Sequence, residues 1–115
     1  MSRVRIEDGQ LVITVQGARK FFAVKSELSI PLTNVQDVTT GLAWKDTPVG
    51  IEKRVGTDWF GYFGGSFVQE GKRVFYDIKK KEEAVVITLK DEDFESLIIG
   101  VDDPDATVEL IKQSL

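Results

Sequence analysis

Apolar and polar residues alternate from the start of the chain. Val4 and Ile6 fall on one side of a first run, and Leu11, Ile13 and Val15 on one side of a second. Asp8-Gly9 stands between them, the dipeptide that a tight two-residue turn favours, so the pattern predicts an antiparallel hairpin with one buried face. Gly17 to Lys20 reads as a turn and Phe21 to Lys25 as a further strand. Leu28 to Leu32 is extended, with Pro31 confining it to a sheet edge or a break, because proline has no N–H to give to a ladder. Thr33 to Val35 suits one helical turn. Gln36 to Leu42 alternates again, with Gly41 suggesting a bulge or a bend.

The centre of the chain reads differently. From Gly56 to Asp77 the sequence mixes glycines with Trp59, Phe60, Tyr62, Phe63, Phe67, Phe75 and Tyr76. The rings supply area to bury, and the glycines point to bends, bulges and close backbone approach. Residues 43–54 carry no clear period, and Pro48 and Gly50 mark loop. Beyond the Glu70-Gly71 turn, Val74 to Ile78 predicts a strand. Ala84 to Leu89 is a nearly unbroken run of β-branched and aliphatic residues, as in a strand covered on both faces. Asp91 to Glu95 is an acidic connection, and Ser96 to Val101 is the last strand.

The last element is an amphipathic helix. Asp103 stands at the N-cap, Pro104 at the first helical position, and Asp102 and Asp105 at the positive end of the dipole. Val108, Ile111 and Leu115 form its apolar stripe with Leu110 at the flank, and Lys112 lies in the last turn. The order is therefore a series of antiparallel strands followed by one C-terminal helix, in one domain spanning 1–115.

Composition narrows the function. Fifteen basic and 19 acidic residues give a net charge of −4, which disfavours nucleic acid as a partner, since that binding needs a basic face. With no cysteine there is no disulfide, thiol nucleophile or zinc–thiolate site. With no histidine as well, the usual general base is missing, and the expectation is a protein that is not an enzyme. Ser66 lacks the Gly-x-Ser-x-Gly setting, and Gly61 to Gly65 match no phosphate-binding loop. Asp91, Asp93 and Glu95 alternate like calcium ligands, but Ser96 stands where the sharp-turn glycine belongs, so neither metal nor cofactor is expected. No apolar run reaches the ~20 residues of a membrane span and no signal-peptide core is visible, so the expected location is cytoplasmic.

Several motifs, in order, carry a resemblance. Ile30-Pro31-Leu32 with Val35, then Gly56-Thr57, Gly65-Ser66-Phe67, Val74 to Asp77, Ala84 to Leu89, Leu97 to Ile99 and Val101 to Pro104 together resemble the bacterial pleckstrin-homology (PH)-like domains. The resemblance implies a mainly β fold: two near-orthogonal antiparallel sheets in a partly open barrel, closed at one end by the C-terminal helix. It implies little about function, because such a fold hosts lipid, peptide and protein ligands alike.

Two candidate surfaces remain. Most aromatic rings of a domain this small belong to its core, yet the glycine-rich backbone around Trp59, Phe60, Tyr62 and Phe63 leaves room for exposure. An exposed cluster there would mark a surface for a protein partner or for self-association into a homo-oligomer. The alternative is an anionic membrane or other anionic ligand met by Arg19, Lys20, Lys25, Lys72 and Arg73 in the turns. Lipid-binding PH families carry a lysine followed by a basic-x-Arg pattern, which follows neither Lys20 nor Lys25. Lys79 to Lys81, followed by Glu82-Glu83, reads as a solvated turn.

Overall fold

The computed structural model describes residues 2–15, 27–41, 53–59, 62–69, 71–79 and 83–115. Among these residues nine strands and one α-helix follow in order: β1 (Ser2–Glu7), β2 (Gln10–Val15), β3 (Glu27–Pro31), β4 (Val35–Gly41), β5 (Lys53–Trp59), β6 (Tyr62–Gln69), β7 (Lys72–Lys79), β8 (Ala84–Leu89), β9 (Ser96–Gly100) and α1 (Pro104–Ser114). They build a three-stranded sheet, β1-β2-β3, and a six-stranded sheet, β4-β8-β9-β7-β6-β5. The fold is mainly β with one C-terminal helix, and the two sheets do not close into a barrel.

The first hairpin forms where the alternation places it. Arg5 pairs with Val12 and Ile6 with Leu11 across a turn in which Asp8 (φ 50°) and Gly9 (φ 73°) both lie in the left-handed region. Two successive positive φ values match the twist of the flanking strands, and Gly9 meets that demand without a Cβ penalty. Leu11, Ile13, Leu28 and Ile30 bury one face of this sheet. The opposite face carries a polar lattice in which Arg5 Nε donates to Glu7 at 2.9 Å and Arg5 Nη1 donates to Thr14 Oγ1 at 3.1 Å. Pro31 ends β3, and a 3-10 turn at Leu32–Asn34 leads directly into β4.

The large sheet is buried on both sides at its centre. On one face Val38, Phe75, Val85, Ile87, Leu97 and Ile99 join the inner face of the small sheet and Ile111 of α1 in one core. On the other face Val74, Tyr76, Ile78 and Ala84 form a second cluster, with Ile98 packed against it. The apolar run 84–89 thus sits in a strand with buried residues on both faces, as its lack of polar alternation predicts. Helix α1 packs against β4, β8 and β1, so it touches both sheets. Asp103 caps it, its side chain accepting from the Ala106 N–H at 3.0 Å. The helix ends at Ser114, so Leu115 leaves the apolar stripe and is exposed, as is Leu110.

Three expectations need correction. The large sheet is not wholly antiparallel: β9 runs parallel to β7, with Phe75 in register with Leu97 and Asp77 with Ile99. The short link from β7 to β8 leaves a gap of one strand between them, and β9 returns into it, burying Leu97 and Ile99. Of the bulge or bend predicted at Gly41, the bulge lies instead between Val35 and Asp37, at the strand's entry from the 3-10 turn. Finally, three glycines of the aromatic stretch do not mark bends, although Gly71 (φ 77°) does stand in the turn before β7. Gly56, Gly64 and Gly65 lie inside strands β5 and β6 whose registers run without interruption. Gly65 stands opposite the buried Tyr76 and Gly64 opposite the buried Asp77, so the ladder carries no side chain beside the bulkiest ring of that face. The strand predicted at 21–25 lies outside the described residues.

Candidate interaction surface

The aromatic stretch folds into a meander, β5-β6-β7, at one end of the large sheet. Trp59 is in register with Tyr62 and closes the β5–β6 ladder, and Asp58 is in register with Phe63. Phe63 in turn pairs with Ile78, and Tyr62 with Lys79. Three of the four aromatic candidates therefore hold neighbouring register positions at one end of the β5–β6 pair, and Phe60 lies outside the described residues. β5 ends the strand order and, among the described residues, pairs with β6 alone. An edge of this kind offers a row of unpaired backbone donors and acceptors to another chain.

The basic candidates divide. Arg19, Lys20 and Lys25 lie outside the described residues. Lys72 and Arg73 are exposed at the start of β7, and both are already engaged. Lys72 Nζ lies 3.6 Å from Glu95 Oε2, and the Arg73 guanidinium sits 4.9 Å from the centroid of the Phe94 ring. Phe94 is buried and meets Phe75 edge-on at 5.7 Å with an interplanar angle of 69°.

Residues 90–95 are held to the rest by backbone bonds. The Glu95 N–H donates to the Arg73 carbonyl at 2.8 Å, the Leu89 N–H to the Glu95 carbonyl at 2.9 Å, and the Lys90 N–H to the Asn34 carbonyl at 2.9 Å. The Asn34 side chain also donates to Glu92. Lys72 and Arg73 therefore share their end of the sheet with a connection that carries Asp91, Glu92, Asp93 and Glu95. An anion approaching these two cations meets the acids as well, and the local field does not favour it. The sequence reading missed Phe94 and Glu95 as the partners of this pair. The available signal was Phe94 itself, a lone ring inside an acidic run.

Two further features complete the search for chemistry. Tyr76 and Asp77 are both buried side by side on β7, one on each face of the sheet. Burial pushes the Tyr76 hydroxyl up to about 12, because the phenolate loses its hydration there. Between α1 and the start of β1 lies an open groove of about 270 Å3 lined by Arg3, Val4, Val101, Asp103, Ala106 and Leu110. Its charged residues, Arg3, Asp102 and Asp103, are solvent-exposed, and no buried polar side chain reaches into it. Among the described residues no three acidic side chains converge as metal ligands would, and no helix is long and apolar enough to cross a membrane. Comparison of the chain with protein-family models, with curated proteins and with solved structures gave no match.

Proposed function

We propose that this chain is a non-catalytic interaction module that self-associates or binds a protein partner through the β5–β6 end of its large sheet. The observation that carries the reading is that β5, which ends the strand order among the described residues, has Trp59 and Tyr62 in register at its tip. Backbone pairing along an edge supplies affinity, and aromatic anchors beside it supply selectivity. The motif order that resembles bacterial PH-like domains supports the same reading, since modules of that kind bind rather than catalyse, and a cytoplasmic setting fits the absence of cysteine.

The engagement of Lys72 by Glu95 and of Arg73 by Phe94 weighs against the membrane alternative. The test is sedimentation velocity of the wild type and of Trp59→Ser and Tyr62→Ser, with near-ultraviolet circular dichroism as a check on folding. Association that weakens in the variants while the fold persists supports the proposal. A protein that stays monomeric and loses only stability on these substitutions overturns it. Pelleting with anionic but not neutral vesicles, abolished by salt, would move the assignment to the membrane reading.

A further inference from the structure

Among the described residues the two sheets have four edges, and three of them carry features that oppose pairing with another copy of the chain. β3 ends in Pro31, which lacks an N–H, and turns at once into the 3-10 segment. β4 is bulged between Val35 and Asp37 and is packed against by α1. On β1, the two symmetric antiparallel registers that pair most of the strand are centred on Val4 and Arg5. The first sets Arg3 opposite Arg5 twice, and the second sets Arg5 opposite itself at the axis although it also sets Arg3 opposite Glu7, so each opposes like charges at one or more positions.

β5 carries none of these devices. It has no proline, and its seven residues pair with β6 in an uninterrupted register from Lys53 to Trp59. Its sequence, KRVGTDW, is also self-complementary about its midpoint. A two-fold axis through Gly56 sets Arg54 opposite Asp58, Val55 opposite Thr57, and Lys53 opposite Trp59, each twice. Opposite charges at directly paired positions stabilise an antiparallel ladder, a cation beside an indole adds to it, and a glycine at the axis lets two backbones approach without a side chain between them.

We infer that the partner of this edge is a second copy of the same chain, joined by antiparallel β5–β5 pairing about Gly56 into a continuous twelve-stranded sheet (twice the six strands of one copy). The inference rests on the self-association reading above and names its occupant and register. The interface is isologous, so each copy gives Arg54 to the partner's Asp58 and receives the reverse.

Charge reversal tests the register directly. Arg54→Glu alone sets acid opposite acid twice, and Asp58→Lys alone sets base opposite base twice. Each should weaken dimerisation about tenfold to a hundredfold, read by sedimentation velocity across a concentration series. The double variant Arg54→Glu/Asp58→Lys restores opposite charges and should dimerise like the wild type. Mixing the two single variants should yield a heterodimer, which one neutral and one isotope-labelled chain resolve by native mass spectrometry. Recovery in the double variant and in the mixture also shows that the single variants had folded.

If the wild type dimerises but the single variants dimerise equally well, the β5 register is wrong while self-association stands. If the wild type remains monomeric to millimolar concentration, the pairing and self-association through this edge fall together. If the single variants dissociate and neither the double variant nor the mixture recovers, the charges do not face each other and the inference is overturned.

Discussion

Arg73 places its guanidinium 4.9 Å from the ring centroid of Phe94, and that ring meets Phe75 edge-on in the main core. The contact links the exposed start of β7 to the acidic connection between β8 and β9 and fixes the connection to the sheet. Phe94→Ala removes a buried ring and leaves a cavity against Phe75, so it should cost about 3–5 kcal/mol in chemical denaturation. Arg73→Ala loses only an exposed cation–ring contact and should cost about 0.5–1 kcal/mol. Equal losses from the two would show that the ring is not seated in the core.

Lys72 and Glu95 form an ion pair at 3.6 Å with both side chains more than half exposed. Exposed pairs of this kind are worth little once side-chain entropy and screening are counted. Lys72→Ala should therefore shift stability by less than about 1 kcal/mol, with the shift vanishing in high salt. Anionic vesicles offer a second reading of the same variant. Wild type and Lys72→Ala should pellet alike, and a marked loss of pelleting would restore this cation to a membrane site.

The fold was legible where one force dominated. Alternation and Asp8-Gly9 specify the first hairpin, the unbroken run 84–89 specifies a strand buried on both faces, and Asp103-Pro104 specifies the helix start. It was illegible where local and tertiary demands compete. Glycine has no intrinsic preference for strands, and the register of Gly65 with the buried Tyr76 on the neighbouring strand is a tertiary feature that no local pattern shows. The parallel placement of β9 depends on which gap remains after β7 and β8 are laid down, and no local pattern encodes that. At the candidate surface, sequence picked Trp59, Tyr62 and Phe63 by residue type, while their register positions at the end of the β5–β6 pair, with β5 last in the strand order of the described residues, came from the topology.

Asp103 caps α1 by accepting from the Ala106 N–H, one of the donors that the first helical turn leaves unpaired. Asp103→Ala should lower stability by about 1 kcal/mol, and Asp103→Asn, an equally good cap, should recover most of it. Thermal unfolding of the three proteins checks the order. If Asn fares no better than Ala, the carboxylate acts through charge on the helix dipole rather than as an acceptor.

Gly9 has φ 73°, and a Cβ built on it would touch nothing within 4 Å. Any cost of Gly9→Ala is therefore backbone strain and not a clash, about 1 kcal/mol for an L-residue held in the left-handed region. Gly9→Asn should cost less, since asparagine tolerates that region, whereas a steric site would penalise the larger residue more. Denaturant midpoints for the two variants separate the accounts.

Tyr76 gives stability a pH dependence whose sign follows from its environment. Burial raises its folded-state value from 10.0 to about 12, while the unfolded chain ionises at the ordinary value. The preference for the neutral ring is thus fully present below pH 10. As pH rises from 10 towards 12 the unfolded state alone releases a proton, and stability falls by up to about 1.4 kcal/mol per unit. Above the folded value both states are ionised and the loss levels off. Tyr76→Phe should abolish this component and leave the titration of the lysines in place, so the difference between the two stability-against-pH curves isolates it. Absorbance at the phenolate band offers an independent reading, with a step near pH 12 in the folded wild type that Tyr76→Phe lacks. Identical curves for wild type and Tyr76→Phe would mean that water reaches the hydroxyl and that the second face of the sheet is open.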